Sequence, residues 1–466
     1  SLQSDRRMAQ LACALHDTVD IADIPDLLPL LSVLAAFKPA GTRFTHAGRL
    51  RYKESDRLNG CARLICDLGG LAQAEEDALL VQPRPLTGGE TDAHGDHRMA
   101  MAAAAAACAC PQGVLLRGGK CMSCEFGRRV RVTLFGQSHG EAVGAVIGGL
   151  PAGEEIDLDQ AQAFLRRRAP GQAHATARVE SDIPHVLSGL TDGHTCGAPL
   201  CAMIENHGAN SRDYDALRDI PRPMHADYPA RVKFHGQADL RGGGMYSARL
   251  TAALCFAGAV CLQILARRGV RLGAHLLRVG EEEDASFDPL MTDPDVFNLL
   301  AARSPAVLDE QAGARMLSAI DAARAAGDSL GGAVELCALG LPAGLGEPPF
   351  DGVENRLSQA LYAIPAVKCV EFGAGAAVSR LRGSAHNDAF YYDEAGRVRT
   401  RTNRHGGVLG GMTTGMPLLL TCHIKPTPSI ALPQESVNLQ TRESARLCVP
   451  GRHDPCAALR AVPCVE

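Results

Sequence analysis

The chain has no tryptophan, and phenylalanine and tyrosine together supply only 4% of its 466 residues. It also lacks a basic excess. The formal charge is -5, which leaves no electrostatic footprint for nucleic acid and excludes that class of partner. Basic residues cluster only locally, a pattern that suits a small anionic substrate better than a polymer. No apolar run is long enough to cross a bilayer: the longest, from about Ala252 to Leu265, is short and contains Gln263. With no signal peptide opening the chain, a soluble, cytoplasmic protein without a membrane partner is expected. Seventeen cysteines are present but scattered, and several, such as Cys255 and Cys261, sit in apolar runs. Buried free thiols of a reducing compartment are therefore expected rather than disulfides. Cys121 and Cys124 make one CxxC with no second pair at zinc-ribbon spacing, so no metal centre is expected.

Hydrophobic residues nevertheless reach 46%, enough for real cores, and the length argues for two or three folding units. Residues 1 to about 120 read as one of them. Pro25-Asp26 starts a leucine-rich helical run to Phe37. Lys53 to Leu68 reads as a helix with Leu58, Ala62, Ile65 and Leu68 on one face, stopped by Gly69-Gly70. Ala78 to Gln82 reads as a strand, and Met99 to Cys110 as a closely packed helix of small residues. Val130 to Leu134 is a β-branched run that reads as a strand, and it ends in Phe135-Gly136-Gln137-Ser138-His139-Gly140. Asp157 reads as the cap of a helix to Arg168. Gly242 to Gly244 lead into the longest helix, about Ser247 to Arg268, apolar almost all round and so central to a domain. This glycine run is not followed by Gly-Lys-Ser/Thr, and Gly373 and Gly375 lack a third glycine. Neither makes a nucleotide fingerprint.

The Phe135–Gly140 stretch is joined, in order, by Arg222-Pro223-Met224-His225-Ala226-Asp227-Tyr228, Arg241-Gly242-Gly243-Gly244 and Gly451-Arg452-His453-Asp454-Pro455-Cys456. Between them stand Gly327 to Gly332, Val367 to Gly373, Gly383 to Asp388, Gly406 to Gly411 and Lys425 to Ser429. Over about residues 122 to 466 the chain resembles chorismate synthase. The resemblance implies an α+β fold, with a layer of helices between antiparallel sheets. The N-terminal part carries Ile24-Pro25-Asp26, Arg51 to Arg57 and Gly95 to Met101. It resembles the C-terminal part of 5-enolpyruvylshikimate-3-phosphate (EPSP) synthase, an enzyme of βαβ-type repeats, and covers about a quarter to a third of it. Domains are thus expected at 1–120 and 122–466, joined without a Gly/Ser/Pro linker. Helices of the first are expected to miss the repeat they would pack against.

The resemblance implies conversion of EPSP to chorismate by 1,4-elimination of phosphate and a ring proton, using reduced FMN without net redox change. Guanidinium forks suit phosphate and carboxylates, and Arg168, Arg178, Arg222 and Arg249 are the positions expected to bind substrate. By resemblance His225 serves the leaving phosphate and His139 the flavin, while Asp454 assists removal of the ring proton at flavin N5. Implied flavin contacts are Met245, Tyr246, Ser247, Pro365, Ala366, Gly410, Lys425, Pro426, Thr427, Pro428, Ser429 and Arg452. Relatives often have Arg-Ser-Ser where this chain has Met245-Tyr246-Ser247, and they continue into a further helix beyond Glu466. In the first domain Asp26, Lys53, Glu54, Arg57 and Arg98 align with the EPSP synthase site. A homotetramer is implied by resemblance, and NADPH-dependent flavin reduction is left open. Two alternatives stand beside this reading: a bifunctional EPSP synthase/chorismate synthase, and an inactive flavin- or phosphate-binding relic.

Overall fold

In the computed structural model, the short segment Thr18–Asp20 (β1) pairs in parallel with Thr42–Thr45 (β2), and the crossover between them is the helix Leu28–Ala36 (α1). The structure describes residues 15–53, 55–94, 96–117, 124–170, 180–207, 219–234, 236–449 and 454–466, with backbone alone at His97 and Arg117. Two compact units result, Ser1–Ser123 and Cys124–Glu466.

In the first unit, Leu71–Ala74 (β3) and Ala78–Gln82 (β4) complete a sheet of order β1-β2-β4-β3. The next helix, Arg57–Asp67 (α2), begins later than Lys53, because Gly48–Tyr52 forms a 3-10 turn and Asp56 caps α2 by accepting from Asn59 N at 3.1 Å. Gly89–Asp92 (β5) and Val114–Arg117 (β6) pair in parallel around His97–Ala107 (α3). This helix starts ahead of Met99 because Asp96 accepts from Arg98 N at 2.9 Å. Leu28, Leu31, Phe44, Leu58, Ile65 and Leu79 are fully buried in one core made of this unit's own residues. The helices thus find partners among themselves, contrary to the expectation of an unfilled face.

The second unit has two five-stranded antiparallel sheets. One takes Glu125–Gly127 (β7), Arg131–Gly136 (β8), Ala142–Gly148 (β9), His185–Ser188 (β10) and Leu200–Glu205 (β11) in the order β10-β11-β9-β8-β7. On β11 the inward residues alternate, Leu200, Ala202 and Ile204, as one buried sheet face requires. They meet Leu165 of Leu158–Arg168 (α4), and Phe256 and Val260 of Thr251–Arg267 (α6). Between these helices in sequence lies the short Asp227–Lys233 (α5). Asp157 caps α4, and Gln263 fixes that cap by bonding both the N–H and the carbonyl of Asp157 at 2.8 and 2.9 Å. With the 3-10 turn before it, the Ala248–Arg267 stretch is long and apolar enough to cross a membrane, longer than its sequence run suggested. Its side chains instead fill the space between the sheets.

The other sheet takes Arg271–Val279 (β12), Glu282–Glu283 (β13), Gly332–Leu339 (β14), Val367–Phe372 (β15) and Leu418–Ile424 (β16) in the order β13-β12-β14-β16-β15. Phe297 and Leu300 of Asp295–Ala302 (α7) cover one face with Cys337 and Leu419. The opposite face packs on Glu310–Ala325 (α8), Val353–Leu361 (α9) and the last helix, Ala458–Val465 (α10). Cys464 of α10 touches the cores of both sheets, so helices form the middle layer of an α+β fold. Every described cysteine is a free thiol; several are buried, and Cys66, Cys108, Cys196, Cys369 and Cys448 are exposed.

Candidate active site

Three successive glycines hold the site together. Gly242, Gly243 and Gly244 all have positive φ, at 59°, 91° and 55°, a run that residues with a Cβ strongly resist. Space is lacking as well. A Cβ on Gly242 would lie 2.4 Å from His139 Nε2 and 2.8 Å from Ser138 Oγ, and one on Gly243 would lie 3.3 Å from His225 Nε2. A Cβ on Gly244 would meet the Asp239 carbonyl at 1.9 Å. Ser138 N donates to the Gly244 carbonyl at 3.1 Å, which ties the turn after β8 to the glycine run. Two histidines from distant segments are thereby brought against consecutive glycines.

His225 is oriented by a carboxylate. Its Nδ1 lies 2.6 Å from Asp227 Oδ1, which directs Nε2 toward Gly243. Arg222 in turn grips Asp227 with Nε and Nη2 at 2.8 and 2.9 Å, while its backbone N–H donates to the same carboxylate at 3.0 Å. Burial works against the Asp227 charge, yet Arg222 and His225 outweigh it and hold this carboxyl far below the ordinary range. Arg222 Nη1 also donates to Ser429 Oγ at 3.3 Å, joining this turn to the segment after β16.

Arg168 and Arg249 lie deeper, 2% and 4% exposed. Both guanidinium groups bind the buried Asp182, and Arg249 also reaches Glu180 Oε2 at 2.5 Å. Arg168 Nε donates to Thr251 Oγ1 at 3.0 Å, and Arg249 Nε donates to Asn206 Oδ1 at 2.7 Å. Asn206 then straps the histidine turn, donating to the carbonyls of Gln137 and Gly140 at 2.9 and 2.8 Å. Both arginines are therefore committed to the chain's own carboxylates and are not presented on an open surface. Asp454 accepts from Arg460 Nη1 at 2.6 Å, and Arg460 Nε donates to the Arg168 carbonyl at 3.0 Å. Arg178, Arg452 and His453 lie outside the described residues.

Two of the segments expected to contact flavin, Pro365-Ala366 and Lys425 to Ser429, lie side by side. Lys425 N donates to the Ala366 carbonyl at 2.9 Å, and Ala366, next to Pro365, has the strained φ of 75°. Ser329 Oγ donates to the Thr427 carbonyl and Gln434 Nε2 to the Pro428 carbonyl, which shapes the Lys425–Ser429 run through Pro426. Burial, with Lys368 nearby, pushes the Lys425 ammonium below its usual range. Met245, Tyr246 and Ser247 continue directly from the glycine run, and Ser247 Oγ accepts from Arg249 N at 3.2 Å. Gly410 stands in the two-residue turn with Gly411 between Val408–Leu409 and Met412–Thr413, a hairpin that rests on Pro348, Gly352 and Val353. Thr427 Oγ1 is buried without a hydrogen-bond partner, an orphan beside Lys425 that a polar ligand atom would satisfy. The donors thus fit an anionic cofactor such as FMN.

In the first unit, Arg57 Nη1 donates to Asp26 Oδ1 at 2.8 Å, and Lys53 and Arg98 approach the same carboxylate at 3.8 and 3.9 Å. Asp96 receives Arg57 Nε at 2.6 Å and Ser55 Oγ at 2.9 Å, which keeps its carboxyl low despite burial. Glu54 lies outside the described residues. The residues that sequence reasoning passed over are the partners: Asp96, Glu180, Asp182, Asn206, Asp227 and Arg460. Asp227 and Asp96 stand inside the recognised motifs and were open to notice there. Asn206 has no such signal.

The family profile of chorismate synthase matches residues 130–466, and that of EPSP synthase (3-phosphoshikimate 1-carboxyvinyltransferase) matches residues 4–129. The chain is 45% identical over 342 residues to the chorismate synthase of Korarchaeum cryptofilum, spanning 73% of this chain and 93% of that protein. It is 46% identical over 340 residues to the enzyme of Thermococcus gammatolerans, with the same coverage. A solved chorismate synthase structure superposes with a TM-score of 0.56 at 26% identity, covering 73% of this chain and 88% of that one. The chain therefore belongs to the chorismate synthase family and carries a fragment of EPSP synthase ahead of that domain.

Proposed function

We propose that the glycine-bracketed site removes phosphate and a ring proton from EPSP to give chorismate, with the chain's histidines and Asp454 handling the protons. The observation that carries this reading is the placement of His139 and His225 against Gly242 and Gly243, with His225 Nδ1 fixed by Asp227. As the C–O bond to phosphate breaks, His225 Nε2 donates a proton to the departing oxygen. Asp227 holds Nδ1 and keeps Nε2 aimed forward. Asp454, steadied by Arg460, assists removal of the ring proton, and a new double bond forms as that C–H bond breaks.

Asp182 and Glu180 hold Arg168 and Arg249 in the place of the substrate's carboxylates until substrate arrives, while Arg178 and Arg222 complete the cationic set. Reduced FMN, when bound, supplies an electron-rich group that lets the elimination proceed without net redox change. Met245, Tyr246, Ser247, Pro365, Ala366, Lys425 to Ser429 and Arg452 would hold it, and His139 would set its protonation. Gly410 would reach it only from the separate hairpin. The enzyme is read as a cytoplasmic homotetramer acting on a small molecule. Incubating the full chain anaerobically with EPSP and reduced FMN should yield chorismate; EPSP left unchanged would contradict the reading.

A further inference from the structure

The edge of the second sheet carries a cluster that this reaction does not use. Cys369 on β15 stands directly opposite His423 on β16, and Glu371 follows two residues along, so all three side chains rise from one face. Their thiol, imidazole and carboxylate atoms all lie within 4.8 Å of one another. His423 Nε2 bonds Glu371 Oε2 at 2.9 Å, and Ala376 N donates to Glu371 Oε1 at 3.0 Å, which fixes the carboxylate from behind. Cys369 is exposed, and the other two side chains are each 27% exposed, so solvent reaches the cluster.

We propose that Cys369, Glu371 and His423 bind a zinc-class divalent cation, with water as the fourth ligand. One sulfur, one nitrogen and one oxygen suit zinc and not magnesium or calcium, which take oxygen alone. Bonds of about 2.0–2.3 Å in a tetrahedron separate the ligand atoms by about 3.3–3.8 Å, within the span available here. On binding, the Cys369 thiol gives its proton to solvent, and thiolate plus carboxylate balance the two positive charges. His423 moves its remaining proton from Nε2 to Nδ1.

One neighbour opposes this. Arg278 Nη2 lies 3.3 Å from His423 Nδ1, where a donor would face the relocated proton. Arg278 also donates to Glu283 Oε1 at 3.0 Å and can turn wholly to that exposed partner. Removing Arg278 should therefore tighten metal binding, a sign that loss of mere structural support would not produce. The three ligands escaped the sequence reading because it sought closely spaced cysteines, whereas strand pairing joins positions far apart in the chain.

The test uses the full chain freed of metal with a chelator and titrated with zinc against a competing dye, then with cobalt. One equivalent of cobalt should give a thiolate-to-metal charge-transfer band that is absent in Cys369→Ser. Zinc affinity should fall at least ~10-fold in Cys369→Ser and His423→Ala and rise in Arg278→Ala. These sites are at the surface, and circular dichroism would verify that each variant is folded. Absence of a thiolate band in the parent chain, equal zinc affinity in the ligand variants, or weaker binding in Arg278→Ala would overturn the proposal.

Discussion

Replacing Asp227 with asparagine separates charge from shape at the proposed acid. The amide keeps the size of the carboxylate that lies 2.6 Å from His225 Nδ1 but removes its charge. The carboxylate fixes the ring so that Nε2 faces Gly243, whereas the amide can offer its N–H₂ to Nδ1 and so change the tautomer or turn the ring. If that aim lets His225 assist phosphate departure, Asp227→Asn should lower turnover by about 10- to 10³-fold. Arg222 is 6% exposed and loses its counter-ion in the same step, so a stability cost of about 3–5 kcal/mol is also expected. Initial rates of phosphate release, at a temperature where both forms are folded by circular dichroism, separate the two effects. Turnover equal to that of the parent chain in the folded variant would refute the role given to the pair.

Gly242→Ala places a methyl group 2.4 Å from His139 Nε2 and should lower turnover by about 10² or more, with a smaller loss in thermal stability, as paired kinetic and melting measurements would check. Arg249→Lys loses the fork that reaches Asn206 and Glu180, so EPSP should bind more weakly and the melting temperature should fall; an unchanged dissociation constant would make Arg249 purely structural. Burial disfavours a charged His275, but Asp284 and Glu335 outweigh it and raise its pKa. The stabilisation from this group should be fully present below about pH 6.5 and lost as pH rises through the raised folded value. Urea melts across that range should show the slope in the parent chain and not in His275→Gln. The first unit should not form EPSP from shikimate 3-phosphate and phosphoenolpyruvate, because the EPSP synthase match covers only residues 4–129; sustained phosphate release by the chain alone would count against this.

What could be read from the sequence was what depends on near neighbours. Asp157 caps α4, and Gly242 to Gly244 shape a turn whose need for positive φ is written in the residues themselves. Helix starts were missed where a cap lay a few residues away, as with Asp56 and Asp96. The motifs named His139 and His225 but not their placement against consecutive glycines, which depends on the 136–140 turn docking on Gly244. Asn206 and Asp182 were invisible for a different reason. Each acts by bridging segments that only the packing of β11 and α6 brings together, and a lone asparagine or aspartate near a strand end carries no spacing pattern. The burial of Arg168 was equally hidden, since the run Arg166 to Arg168 suggests exposure until the counter-ion Asp182 is located.

In the proposed elimination, protons move through the chain's own groups and no electrons are lost overall. A single anaerobic turnover, following flavin absorbance together with phosphate and chorismate, tests it most directly. One phosphate and one chorismate per site, with the flavin still reduced at the end, is the predicted result. Flavin oxidised in proportion to product, or phosphate released without chorismate, would contradict it.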